Sequence, residues 1–307
     1  MGLFLSMILP AYLQKGDKVA IVAPAKKVAA EEILPAKKIL HQWGLQIIEG
    51  QNLYEQDNYF AGTDQQRLAD LQCAFDAPEI KAILCARGGY GTTRILEQLN
   101  WQKFKRYPKW IVGFSDLTAL QTHAITENCA SIHGPMAFNF AKMQNTEAIA
   151  HLKNILFGQL AAINIPQNHF NKSSEAEGII IGGNLSILTN VIGTASDIKY
   201  DQRILLIEEI EEYYYRIDRM MIQLKRAGKL DHLSALVVGQ FTNMMDNQIP
   251  YGKNAYQIIK ETVADYDYPV FFDASFGHIK DNYAFPQGVP GKIVNENKNW
   301  KLTYTTL

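Results

Sequence analysis

Between residues 18 and 127, apolar runs of strand length alternate with stretches whose apolar residues recur every three or four positions. The runs KVAIVAP, LQIIEG, KAILCA and WIVGF are nearly continuous rather than alternating, so they read as strands buried on both faces. Between them AAEEILPAKKILHQWG, with Pro35 as a blemish, TDQQRLADLQCAF and TTRILEQL read as helices, and another is expected over residues 116–127. Residues 159–176 are polar, mixed and without sustained period, and read as a linker. The alternation then resumes. EGIII, RILLIE, ALVVGQ and VFFDA read as strands, with helices after Gly183, around 214–227 and around 254–264, and GKIVNENKNWKLTYTT closes the chain as a β hairpin. This pattern predicts an α/β protein of two domains, a flavodoxin-like parallel-sheet domain over 1–158 and a second α/β domain over 177–307. Ligands of such sheets bind at the carboxyl ends of strands, which fixes where to look for chemistry.

Composition narrows the ligand. With 30 basic against 31 acidic residues, a formal charge of -1 and no Lys/Arg run, the chain has no footprint for nucleic acid or an anionic membrane, and a small ligand is expected. Cys73, Cys85 and Cys129 are odd in number and show no C-x-x-C spacing, so neither a disulfide framework nor a zinc site is expected and a reducing compartment fits best. Cys85 lies inside the apolar run AILCA and reads as an inert core thiol. The opening MGLFLSMILPAYL lacks a basic n-region, is interrupted by Pro10 and is too short to span a bilayer. A cytoplasmic protein is therefore expected, with Met7 as an alternative start.

Four stretches place a glycine or polar group just past a strand. In LCARGGYGTTR, Gly88, Gly89 and Gly91 allow positive φ and close backbone approach to an anion or oxyanion, or else simply form a turn. Read as a dinucleotide fingerprint the stretch fails, because Arg94 stands where the third glycine belongs. Ser115 follows WIVGF and reads as a helix cap only, or as a residue that both starts the helix and serves as nucleophile on a strand-to-helix elbow; G-x-S-x-G is met at Gly113 but not at Leu117. Glu208 ends RILLIE at the rim of a buried strand, where a carboxylate needs a partner, whereas Glu209, Glu211 and Glu212 read as a solvated face. His278 stands in DASFGHIKD after a strand; of the seven histidines only His133, in SIHGP, is similarly placed. A serine hydroxyl is a weak nucleophile until a neutral imidazole takes its proton, and the imidazole needs a carboxylate to fix its tautomer. Ser115, His278 and Glu208 supply all three, in a chain order that serine hydrolases use.

The motifs ARGGYGTTRIL, GFSDLTAL, HGPM, LLIEEIEEYYYRIDRMMIQLKRAGKL and FGHIKDNYAFPQG together resemble the LD-carboxypeptidases, a serine peptidase family also called muramoyltetrapeptide carboxypeptidases, from about residue 18 to 288. The resemblance implies Ser115 as nucleophile in G-F-S-D, Glu208 as the triad carboxylate with Glu211 as its rival, and His278 in F-G-H as the base. It also implies an oxyanion hole from backbone amides near Gly89 and Asp116, two domains with the triad between them, a homodimer, and no metal or cofactor. The activity it implies is release of the terminal D-alanine from murein tetrapeptides in cell-wall recycling. Hydrolysis of acyl-sulfamoyl nucleotides, as in the microcin-immunity branch of the family, is the alternative. A non-catalytic sugar or peptide binding module is a lesser one, with no reason to gather Ser, Glu and His. An anionic peptide substrate also calls for a group that takes its terminal carboxylate. Arg87, with Gly88 beside it, is the candidate, a structural ion pair being the other reading of that arginine.

Overall fold

A computed structural model describes residues 7–143, 146–159, 162–297 and 299–304. The choice between Met1 and Met7 as the start turns on residues outside that set. The first half runs β1 (Lys18–Val22), α1 (Ala30–Gln42), β2 (Gln46–Glu49), α2 (Asp64–Asp76), β3 (Ile80–Cys85), α3 (Gln102–Arg106), β4 (Trp110–Gly113), α4 (Thr118–Thr126), β5 (Ser131–His133), α5 (Phe140–Met143) and α6 (Glu147–Leu156). The second runs β6 (Ile163–Ile165), β7 (Ala176–Asn184), α7 (Leu185–Asn190), β8 (Arg203–Ile210), α8 (Tyr214–Arg226), β9 (Ala235–Thr242), α9 (Ala255–Thr262), β10 (Val270–Phe271), β11 (Phe285–Gln287), β12 (Pro290–Glu296) and β13 (Asn299–Tyr304).

Two sheets result, in the orders β11-β5-β4-β3-β1-β2 and β10-β9-β8-β7-β12-β13-β6. The first is parallel except for β11, and the second is parallel from β10 to β7 and antiparallel beyond it. The unbroken apolar runs are explained by cover on both faces. In β1, Val19 and Ile21 join one hydrophobic cluster while Ala20 and Val22 join another that is packed by α2, α3 and α4. In β8, Ile204 and Leu206 join the first of these clusters, which runs through both halves of the chain, and Leu205 and Ile207 face α7, α8 and α9. The hairpin expected at the end of the chain is β12 and β13.

Three expectations need amendment. TTRILEQL is not a helix but two 3-10 turns, Thr92–Arg94 and Leu96–Gln98. Asp116 Oδ2 accepts both the Thr92 N–H (2.9 Å) and its hydroxyl (2.6 Å), which pins the first turn to the end of β4. The stretch read as a linker contributes β6, an edge strand on β13; its three-residue alternation, Ile163 and Ile165 in and Asn164 out, is too short to stand out among polar neighbours. Finally, β11 leaves the second half to complete the first sheet against β5. Its Pro286 is tolerated because the strand lies at the sheet edge.

Candidate active site

Strand ends of the first sheet build one side of the site. Ser115 follows β4 and opens a 3-10 turn, Ser115–Leu117, that leads into α4. Its φ of 62° is a left-handed value that a serine adopts only under constraint, at a cost of about 1–2 kcal/mol. Its hydroxyl caps neither the 3-10 turn nor α4, so the capping reading of this serine falls and the side chain stands half-exposed. Gly113 is needed two residues earlier, where a Cβ would come within 2.9 Å of Leu117 Cγ. The glycine turn after β3 packs directly on the serine: a Cβ at Gly88 would lie 3.2 Å from Ser115 Cβ, 3.3 Å from its Oγ and 3.4 Å from the Asp116 nitrogen. Gly89 has φ 102° and is overlain by Lys26 and by the Tyr59 hydroxyl. The two turns are tied together by Asp116 through Thr92, and burial pushes the Asp116 carboxyl above its ordinary pKa.

The other side comes from the second sheet. Glu208 and Glu209 are consecutive in β8 and both are buried, at 0% and 2% exposure, because successive strand residues face opposite, covered sides. Glu208 Oε2 lies 2.7 Å from His278 Nδ1. An ionised carboxylate only accepts, so Nδ1 carries the proton and Nε2 is left as the acceptor. Gly277, at φ 114°, lets the loop close on the pair, since a Cβ there would lie 3.0 Å from Glu208 Oε2. Burial works to lower the His278 pKa, but the charge and hydrogen bond of Glu208, helped by Glu209 and Glu211, outweigh it and hold it above the ordinary value. No hydrogen bond joins Ser115 Oγ to His278 among the described residues. The link between them is Phe114, the residue before the serine, whose ring centroid is 4.8 Å from that of His278. Such contacts often tighten only with substrate bound. A buried carboxylate–imidazole pair near a half-exposed serine and a glycine turn is equipped for acyl transfer.

Comparison with known proteins agrees with this chemistry. Residues 19–134 match the LD-carboxypeptidase N-terminal domain and residues 177–293 the LD-carboxypeptidase C-terminal domain. The chain belongs to the LD-carboxypeptidase family. It is 33% identical to a probable murein peptide carboxypeptidase of Bacillus subtilis over 97% of this chain and 95% of that protein. It is 30% identical to the murein tetrapeptide carboxypeptidase of Pseudomonas aeruginosa, covering 92% and 95%. Among solved structures, a muramoyltetrapeptide carboxypeptidase from Oxalobacter formigenes superposes with a TM-score of 0.84 at 26% identity, over 94% of this chain and 98% of that one. The microcin self-immunity protein MccF in complex with glutamyl sulfamoyl guanosine shares the fold, with a TM-score of 0.86 at 21% identity over 98% and 99%.

In this member of the LD-carboxypeptidase family several supporting residues were invisible in the sequence. Glu209, expected on a solvated face, is instead a buried anchor: it accepts from Asn184 Nδ2 (2.7 Å), Ser186 N–H (2.8 Å), Ser186 Oγ (2.6 Å) and Ile210 N–H (2.9 Å). Burial and the neighbouring Glu208 charge push its carboxyl above the usual range. Glu211 is exposed and Glu212 reaches Arg216 at 3.3 Å, so for these two the solvated reading is retained, and Glu208 rather than Glu211 is the residue bonded to His278. Asn184 N–H donates to Thr118 Oγ1 (3.0 Å), fixing α4 on the end of β7. A second buried bridge runs from Gln121 to Gln287 (3.0 Å) and from Gln287 to the Gly182 N–H (3.1 Å). Arg87 is engaged structurally, 3.5 Å from Glu32 and stacked 3.9 Å from the centroid of the Phe138 ring. Lys26, past the end of β1, packs along Gly89 with its Nζ 5.0 Å from the centroid of the Tyr59 ring, and no carboxylate among the described residues pairs with it. Among the described residues there is also no cluster of His, Cys, Asp and Glu able to hold a metal ion, and no helix long and apolar enough to cross a membrane.

Proposed function

We propose that the chain is a serine carboxypeptidase that cuts the L,D bond of murein tetrapeptides and releases the terminal D-alanine. The observation that carries the reading is the buried Glu208–His278 pair, 2.7 Å apart and facing Phe114 beside a serine held at positive φ. In the reaction, His278 Nε2 takes the Ser115 proton as Oγ attacks the scissile carbonyl, and Glu208 stabilises the imidazolium that forms. Backbone N–H groups of Gly89 and Asp116 receive the oxyanion. Collapse passes the proton to the departing amine, so D-alanine leaves and the remaining peptide stays as an ester on Ser115. Water, deprotonated by His278, then frees it. Gly88 supports the assignment because any larger residue would occupy the space around Oγ.

Of the cations at the mouth, Lys26 suits the substrate's terminal carboxylate better than Arg87, since it lies on the Gly89 turn and has no acidic partner there. The reading includes a homodimer and a cytoplasmic location, where recycled wall peptides and three free thiols fit. Mass spectrometry of products tests it. D-alanine should leave the free tetrapeptide, the pentapeptide should survive, and amidating the terminal carboxyl should cost roughly 2–4 kcal/mol in kcat/KM. Lys26→Met should remove most of that discrimination. An intact tetrapeptide alongside hydrolysis of an acyl-sulfamoyl nucleotide would overturn the reading in favour of the microcin-type activity.

A further inference from the structure

Around the Glu208–His278 pair lie polar groups that the proposed reaction leaves idle. Glu208 Oε2 accepts from His278 Nδ1, while its Oε1 is buried with no hydrogen-bond partner among the described residues. Asn282 is fully buried; its Oδ1 accepts the Gly277 N–H at 2.9 Å, and its Nδ2 has no acceptor. His133, at the end of β5, is also fully buried, and neither ring nitrogen is bonded.

Shared neighbours connect the three. Gly277 touches both Asn282, through its N–H, and Glu208, whose Cβ would be 2.9 Å from a Cβ at that glycine. His133 stacks on Phe285 (4.4 Å, 10°), stands edge-on to Phe276 (6.2 Å) and lies 5.7 Å from Phe114, the ring that also packs on His278. Burial pushes His133 down to about 4, with Glu208 and His278 the charges that act on it, so at neutral pH it offers one N–H donor and one acceptor. The groups are complementary in number: one free carboxylate oxygen, one amide NH2 and one neutral imidazole. Buried polar groups in native proteins are nearly always satisfied, and a site with two to four polar partners suits one water.

We propose that His133 and Asn282 hold a buried water on Glu208 Oε1, and that through it they position the carboxylate for His278. The proposal rests on the reading of Glu208 and His278 as the reaction's base, and it makes His133 and Asn282 positioning residues of that base. The water accepts from Asn282 Nδ2 and the His133 N–H and donates to Glu208 Oε1. Without it the carboxylate is free to turn, and its charge falls more fully on His278, on which Glu209 and Glu211 also act.

His133→Phe keeps the ring among Phe114, Phe276 and Phe285 and removes the nitrogens. It should lower kcat about tenfold, the worth of one hydrogen bond, leave KM within about twofold, and move the acid limb of kcat/KM upward by about half a pH unit or more. His133→Gln, which retains a donor, should recover most of the rate. A crystal structure of the unaltered protein at a resolution that resolves waters should place one within hydrogen-bond distance of Glu208 Oε1 and Asn282 Nδ2. A dry site, or a Phe variant with unaltered kcat and acid limb, overturns the proposal. Because the crystal structure needs no turnover, an enzyme inactive on tetrapeptide refutes the proposed function and not the water site.

Discussion

Ser115 and Glu208 occupy matching places in two different sheets, yet they are held by opposite means. The serine is presented by backbone: a left-handed φ, glycines at 88, 89 and 113, and a half-exposed side chain whose hydroxyl has no hydrogen bond among the described residues. The glutamate is presented by side chains in a fully buried setting, with His278 on one oxygen and the anchor Glu209 beside it. Strain suits the outward-reaching nucleophile proposed for Ser115, and burial suits the charge proposed to act on the His278 imidazole. Substitutions should therefore fail in different ways on the two sides.

The sharpest break is Ser115→Ala, which should cost on the order of 10⁴-fold or more in kcat while leaving thermal unfolding near that of the parent. Ser115→Gly should be as inactive but more stable by about 1 kcal/mol, since glycine adopts positive φ freely. A destabilised glycine variant would contradict the account of strain. On the buried side, Glu208→Gln should lower kcat by on the order of 10³-fold, because an amide no longer selects the Nδ1–H tautomer. It also removes the charge that raises His278, leaving burial to lower it, so the acid limb should move down in pH. An unmoved limb in that variant would separate Glu208 from the titration.

A smaller effect tests the glycine wall. Gly88→Ala places a methyl against Oγ and should cost about 10²-fold in kcat with the fold retained, the scale of a misplaced reacting group. Gly193→Ala serves as its control: φ is 80° but nothing lies within 4 Å of the new methyl, so stability alone should fall. The remaining effect is on acid stability, away from turnover. His133 and His151 titrate near 4 in the folded protein against an ordinary 6.5. Below 6.5 the unfolded chain binds protons that the native state refuses, so each costs roughly 1.4 kcal/mol per pH unit until pH approaches 4. Urea unfolding of His151→Phe at pH 7, 6 and 5 should show a shallower loss than the parent, and an equal slope would remove His151 from the balance.

The backbone side of this comparison was the more legible in the sequence. Apolar runs ending in glycine or serine marked the ends of β3 and β4, and the same rule located Glu208 and His278. The supporting contacts were not legible, because their partners are distant along the chain. Glu209 belongs to a run of acidic residues that looks solvated until Asn184 and Ser186, more than twenty residues upstream, are seen to surround it. Thr92 stops a helix-like pattern only because Asp116 holds it from a different strand end. Three-residue strands such as β5, β6 and β11 carry too little alternation to be distinguished from loop.

Since β11 completes the sheet that holds Ser115, a growing polypeptide cannot close that sheet until residue 287 has emerged from the ribosome, nine residues after His278. Hydrolytic competence then arrives all at once near the end of synthesis. A gene fragment cut between the two family-matched regions should yield a half whose exposed β5 edge seeks a partner instead of a smaller working enzyme.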